Sequence, residues 1–256
     1  MRALVDWERF EPGSLGWFYR LLGLTLLARI ATDLHVDLWA VHDGRLFPWR
    51  HLPGLPLYPP AGLAIEWAMM GLAALAITTG FRLRAGVYLA LLVSAVSLTQ
   101  RYANHRALLL LVLAFLALSP VEPRRPGLSG ERHPNLALIR YQLVIVYLFS
   151  ALNKVRAGFL EGTALQHLLD LDAEPARALA WLVVAAEFSL PLLLWRLPWL
   201  GLGGVACLHL GFALFMPAIW PFSLLMLAMA VLFVGDTRDP GALPLAGADA
   251  VGHNCS

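Results

Sequence analysis

The stretch Leu143-Val-Ile-Val-Tyr-Leu-Phe-Ser-Ala-Leu-Asn-Lys154 decides the fold. It closes an apolar segment over 137–155 that is close to the roughly 20 residues a helix needs to cross a bilayer. It also carries the one lysine among 19 basic residues. The rest of the chain has the same character. Of 256 residues, 59% are hydrophobic and 14% charged, and the mean hydropathy is +0.67. A soluble domain is about 45–50% apolar and about 25% charged. The excess is too large for a bigger core to absorb. It excludes a disordered chain, a nucleic-acid binder and an ordinary cytosolic enzyme, and predicts an all-α polytopic transmembrane bundle.

Eight apolar segments are predicted to span, at roughly 14–36, 59–79, 83–101, 104–120, 137–155, 175–196, 198–216 and 218–235. Pro217 and Pro221 blur the last boundary, so seven or nine spans also fit. Residues 1–13 are read as a cytoplasmic N-terminus, 14–235 as the membrane domain and 236–256 as a loose tail. Asp6, Glu8 and Glu11 in an N-terminus without an apolar core argue against a cleavable signal peptide. The polar connectors are 41–58, 120–136 and 156–174. Cys207 and Cys255 form no metal-binding spacing, so no metal is expected. With the N-terminus inside, the cytoplasmic connectors hold nine arginines and the opposite ones six, which follows the positive-inside bias. This topology puts Asn104, His105 and Lys154 at similar depth on the non-cytoplasmic side. A bacterial inner membrane is the expected location.

Ionisable residues inside spans default to a functional reading, and each has a bland alternative. Tyr147, Ser150 and Lys154 are spaced i, i+3, i+7 and share one helix face. Lys154 reads either as a snorkelling anchor at a helix C-terminus or as a lysine partly buried among helices. A neutral amine in the second setting is a general base or nucleophile. Asn104 reads as an N-cap or a site residue, and His105 as structural or functional. His209, well inside a span, is either an interhelical hydrogen bond or a site residue. Glu66 and Glu187 either stay protonated or pair with an arginine of another span. Arg29 and Asp33 are an i, i+4 pair. Arg20 and Arg140 are read as phospholipid contacts.

The segment Leu138-Ile-Arg-Tyr-Gln-Leu-Val-Ile-Val-Tyr-Leu-Phe-Ser-Ala-Leu-Asn-Lys154, followed by Phe159-Leu-Glu-Gly162, resembles the vitamin K-dependent γ-carboxylase family. Bacterial members of that family are grouped as the HTTM (horizontally transferred transmembrane) domain. In the family an Arg-x-Gln and an Ile-Val-Tyr lead into a lysine pair and then Trp-x-Glu-Gly. Tyr19-Arg-Leu-Leu-Gly23, Arg45-Leu-Phe-Pro48, Thr79-Gly-Phe-Arg82 and Tyr102-Ala-Asn-His105 are similar to other family segments, in the same order, and residues 13–235 are covered. Two positions depart from the pattern. Asn153 stands for the first lysine of the pair, and Phe159 for the Trp.

The resemblance implies roles. Lys154 would be the base that deprotonates reduced vitamin K or another quinol. Asn104, His105 and His209 would surround the chemistry, and Tyr147, Ser150 and Asn153 would lie at the quinol. O2 and CO2 would be co-substrates. In the family, oxygen adds to the quinol anion, a strongly basic alkoxide forms, that base removes the γ-proton of a glutamate, and CO2 traps the carbanion. Such a base survives only where water is scarce. Expected partners are membrane lipid, a lipid quinone and a peptide or small-molecule acceptor, with no nucleic acid. The animal enzymes carry a large luminal docking domain that this sequence lacks, which puts protein γ-carboxylation in doubt. The alternative reading is a non-catalytic scaffold or a quinone- or lipid-binding subunit with the same fold.

Overall fold

The computed structural model describes residues 8, 10–42, 60–100, 103–118 and 133–234. The tail at 236–256, most of the connectors 41–58 and 120–136, and the segment Arg45–Pro48 lie outside the described residues. Every described element is helical. The helices are α1 (Pro12–His42), α2 (Pro60–Thr79), α3 (Leu83–Gln100), α4 (Asn104–Leu118), α5 (Pro134–Arg156), α6 (Thr163–Leu169), α7 (Ala173–Arg196), α8 (Pro198–Phe215) and α9 (Trp220–Val231). Short 3₁₀ turns at Phe159–Glu161 and Pro217–Ile219 precede α6 and α9.

Each of the eight predicted segments falls on one of these helices, but fewer of them meet the requirements for a span than expected. Among the described residues, four helices are long and apolar enough to cross a membrane: Ala61–Thr79, Pro134–Arg156, Ala173–Arg196 and Pro198–Phe215. Leu83–Thr99, Asn104–Leu118 and Trp220–Val231 are apolar but shorter. The first helix is long enough, yet it carries Arg20, Arg29, Asp33 and Asp37. The connector 156–174 holds a helix, α6, that hydrophobic periodicity did not reveal.

Proline sets several starts. Pro134, Pro198 and Pro221 stand in the first turns of α5, α8 and α9, where a missing N–H costs nothing and the fixed φ favours helix. Leu197 alone links α7 to α8, because the residue before a proline is pushed out of the helical region. The helices close into a ring. Each of α1 to α4 packs on the next, α5 on α7, α7 on α8, α8 on α9, and α9 returns to α1 while also touching α5. Small residues bring backbones close, as in membrane bundles generally. A Cβ on Gly86 would lie 2.8 Å from that of Ala76. Phe18, Leu22, Leu26, Leu113 and Ile139 fill the interior, while Leu72, Leu75, Leu92 and Phe149 face outward. Apolar groups on both faces are what a lipid-surrounded helix requires.

One arginine departs from its expected role. Arg140 is buried rather than at lipid. Its Nε donates to the Leu232 carbonyl at 3.0 Å and its Nη2 donates to the same oxygen. The guanidinium lies 3.9 Å from the Phe10 ring centre. The guanidinium thus supplies hydrogen-bond donors to a carbonyl at the C-terminal end of α9.

Candidate functional site

Three inward stripes build the site. On α5 the buried residues Leu136, Arg140, Leu143, Tyr147 and Ala151 recur at three- and four-residue steps, and Lys154 continues the stripe. On α7 the stripe is Ala176, Ala180, Val183, Glu187 and Leu190. On α8 it is Gly201, Val205, His209 and Ala213. Tyr147, Lys154, Glu187 and His209 converge on a cavity of about 750 Å³. Its walls are mostly aliphatic and aromatic, with Leu165, Leu168, Leu182, Val183, Phe212 and Phe222 among them. Phe159 and α6 close one end.

Two polar groupings face this space. In the first, the Lys154 Nζ donates to Glu187 Oε1 at 2.5 Å and to Ser150 Oγ at 2.7 Å. Ser150 Oγ donates to the same Oε1 at 3.1 Å. The carboxylate is almost sealed, with 4% of its side chain exposed against 22% for Lys154. Phe159 lies 5.8 Å from the ammonium, within cation–π range. Glu187 Oε2 is buried and has no protein partner among the described residues. One turn after Glu187, Pro191 interrupts α7, so the Glu187 carbonyl also lacks its intrahelical donor. In the second grouping, the Tyr147 hydroxyl and His209 Nε2 are 3.0 Å apart, in hydrogen-bond contact. Phe212 and Phe222 meet the imidazole edge-on. His209 Nδ1 is buried without a protein partner.

The structure therefore brings together Tyr147, Ser150, Lys154 and His209. Asn104, His105 and Asn153 are not in the cavity wall. Asn153 is exposed, one position round the helix from Lys154. Asn104 is exposed at the start of α4, and His105 is half-buried within electrostatic range of Arg29, Asp33 and Arg106. Those three belong to a separate buried cluster. Arg29 Nε lies 3.5 Å from Asp33, and Arg29 Nη2 lies 3.6 Å from Glu66. Arg106 pairs with Asp33 at 2.5 Å. Ser94 accepts from Arg29 at 3.2 Å, and Ser97 accepts from Arg106 at 3.3 Å and from Arg29 as well. Glu66 thus pairs with an arginine of another helix, while the partner of Glu187 is the lysine. The sequence marked Glu187 as a carboxylate inside an apolar helix but not as the partner of Lys154. No group of three His, Cys, Asp or Glu side chains among the described residues is placed to hold a metal.

The chain matches the HTTM domain over residues 7–236. It belongs to the HTTM domain family. No curated protein and no solved structure matches it. This HTTM protein is a membrane protein related to the γ-carboxylases, and its apolar helices fit an integral membrane location. The family segment around Lys154 maps onto the α5 wall of the cavity. The Glu-Gly that follows maps onto the turn that seats α6 on α7.

Proposed function

We propose that this HTTM protein is an integral-membrane enzyme that binds a reduced quinone in the cavity and removes a proton from it at Lys154. The observation that supports this most is a half-buried lysine paired with a buried carboxylate in an otherwise apolar chamber. Ligand pockets have this composition, with apolar walls and a few convergent polar groups. An isoprenoid or alkyl tail suits the Leu, Val and Phe walls, and a hydroxylated ring suits the polar end. Two buried atoms of cavity-wall residues, Glu187 Oε2 and His209 Nδ1, have no partner among the described residues, and a polar headgroup would satisfy them. A reduced quinone, when bound, supplies an oxygen-reactive ring.

The residues do the rest. Glu187 lets Lys154 exist as a neutral amine without creating a bare charge. Transfer of one proton along the 2.5 Å contact leaves an amine and a carboxylic acid, and both are uncharged in a medium that penalises charge. The amine then accepts the ligand proton. Ser150 holds both partners in register through its two hydrogen bonds. Tyr147 and His209 tie α5 to α8 across the cavity. The aromatic and aliphatic walls exclude water, which any strongly basic species formed there requires. O2 and CO2 as co-substrates, with a small molecule or peptide as acceptor, complete the proposal.

Hydroquinone-dependent oxygen uptake in membranes tests it. Wild-type should show uptake. Lys154→Ala and Lys154→Arg should each lose about 100-fold or more while still accumulating, because arginine cannot give up its proton. Lys154→Arg at the wild-type rate would remove the base role and leave a snorkelling anchor. A wild-type protein that binds the quinol but takes up no oxygen would be a binding subunit.

We further propose a bacterial inner membrane, with the N-terminus inside and the Lys154 end of the cavity toward the non-cytoplasmic face. Asn104→Cys and Asn153→Cys, each in a background with Cys207→Ser and Cys255→Ser, should both react with an impermeant maleimide added to intact spheroplasts. Reaction of either only in inverted vesicles would overturn that orientation.

A further inference from the structure

Glu187 presents its two oxygens to different surroundings. Oε1 is saturated, receiving donors from Lys154 at 2.5 Å and from Ser150 at 3.1 Å. Oε2 is buried, has no partner among the described residues, and belongs to a side chain that lines the cavity. A carboxylate oxygen is an acceptor only. If the pair shares its proton between Nζ and Oε1, Oε2 remains an acceptor in either protonation state. The ammonium has three N–H groups. Two are used by Glu187 and Ser150, and the third is left for a ligand oxygen. As the ion pair that first receives the ligand, before the proton passes to Oε1 and frees the amine, the site thus offers an acceptor and a donor on neighbouring atoms. A hydroxyl matches both, because it donates once and accepts. A carbonyl or ether oxygen matches only the donor and leaves Oε2 facing another lone pair.

We propose that Glu187 is the residue by which the cavity selects a hydroxyl-bearing ring over its oxidised, carbonyl-bearing form. This rests on the quinol-binding reading above and adds the group that enforces the redox state of the ligand. The physical basis is the cost of an unmatched buried acceptor, which makes sites built for a hydroxyl reject analogues that lack it. Oxidised product would be expelled by the same oxygen that held its hydroxyl form.

The test is equilibrium binding to the detergent-solubilised full chain, with a long-chain para-alkylphenol and its methyl ether as probes. They share a tail and undergo no redox change. Wild-type should bind the phenol at least about tenfold more tightly than the ether. In Glu187→Gln the amide can turn an N–H toward the ligand, so the ratio should fall to within about threefold. The extra methyl group is equally bulky in both proteins, so a collapsed ratio reports the hydrogen bond and not the fit. Because Glu187→Gln leaves Lys154 without its charge partner, the double variant Lys154→Met/Glu187→Gln serves as a second case, and it too should lose the preference. A wild-type ratio near one, or a ratio preserved in a folded Glu187 variant, overturns the assignment and leaves the quinol-binding reading standing. Failure of wild-type to bind either probe overturns both.

Discussion

Arg106→Met should cost about 3–5 kcal/mol of folding stability, although Arg106 lies outside the cavity. Its guanidinium joins Asp33 at 2.5 Å and Ser97 at 3.3 Å, and all three groups are buried. Methionine keeps much of the stem's packing and removes the charge. Asp33 then retains Arg29 at 3.5 Å, a longer contact than the one lost. Among the described residues, four ionisable side chains from three helices, α1, α2 and α4, meet here, two acidic and two basic. Removing one member leaves a net charge in a region where charge is heavily penalised. Removing a balanced pair does not. The double variant Arg106→Met/Asp33→Leu should therefore be more stable than Arg106→Met alone, in line with apolar replacement of whole buried ion pairs. Reversible unfolding of the detergent-solubilised protein measures both. A loss below about 1 kcal/mol for Arg106→Met would mean the pair behaves as an exposed one.

This cluster also shows how far the residues could be read in one dimension. Arg29 and Asp33 are four apart on one helix, so their pairing follows from helical spacing. Arg106 is 73 positions from Asp33, and nothing local marks it as their partner. The same holds at the candidate site. Tyr147, Ser150 and Lys154 share a face by periodicity, whereas Glu187 comes from another helix, 33 positions on. A buried charge announces that it needs a partner, but only packing names it. Arg140 shows the limit in another way. Its acceptor is a backbone oxygen 92 positions away, and a carbonyl has no residue signature at all. The topology expected from the arginine bias puts Asn104, His105 and Lys154 at one depth. Depth leaves position around the ring undetermined, and Lys154 faces α7 while His105 faces the Arg29–Asp33–Arg106 cluster. The long apolar segments were legible because membrane burial acts on every residue along them. The seven-residue α6 was not, because its stability comes from how its ends are docked.

That docking leads to the second large effect. Gly158 and Gly162 both have positive φ, 72° and 83°, and flank the 3₁₀ turn Phe159–Glu161. Placing a side chain in the left-handed region costs roughly 1–2 kcal/mol, so both substitutions to Ala pay that much. They differ in the space available. A Cβ on Gly158 would meet nothing closer than 3.7 Å, at the mobile end of Glu161. A Cβ on Gly162 would lie 2.6 Å from Arg177 N and 2.8 Å from Ala176 C, which are backbone atoms of α7. No rotamer change relieves that contact. The start of α6 would have to lift from α7, and overpacking of this kind adds about 1–3 kcal/mol. Gly162→Ala should therefore cost about 2–5 kcal/mol, and Gly158→Ala no more than about 2. The displacement also reaches the cavity. Leu165 and Leu168 on α6, and Phe159 in the turn, are wall residues, and Phe159 lies beside the Lys154 ammonium. Gly162→Ala should thus weaken para-alkylphenol binding at temperatures where the protein is still folded, and Gly158→Ala should leave it unchanged. Equal losses of stability and binding in the two variants would show that backbone conformation alone, and not the approach of the turn to α7, explains the Glu-Gly segment.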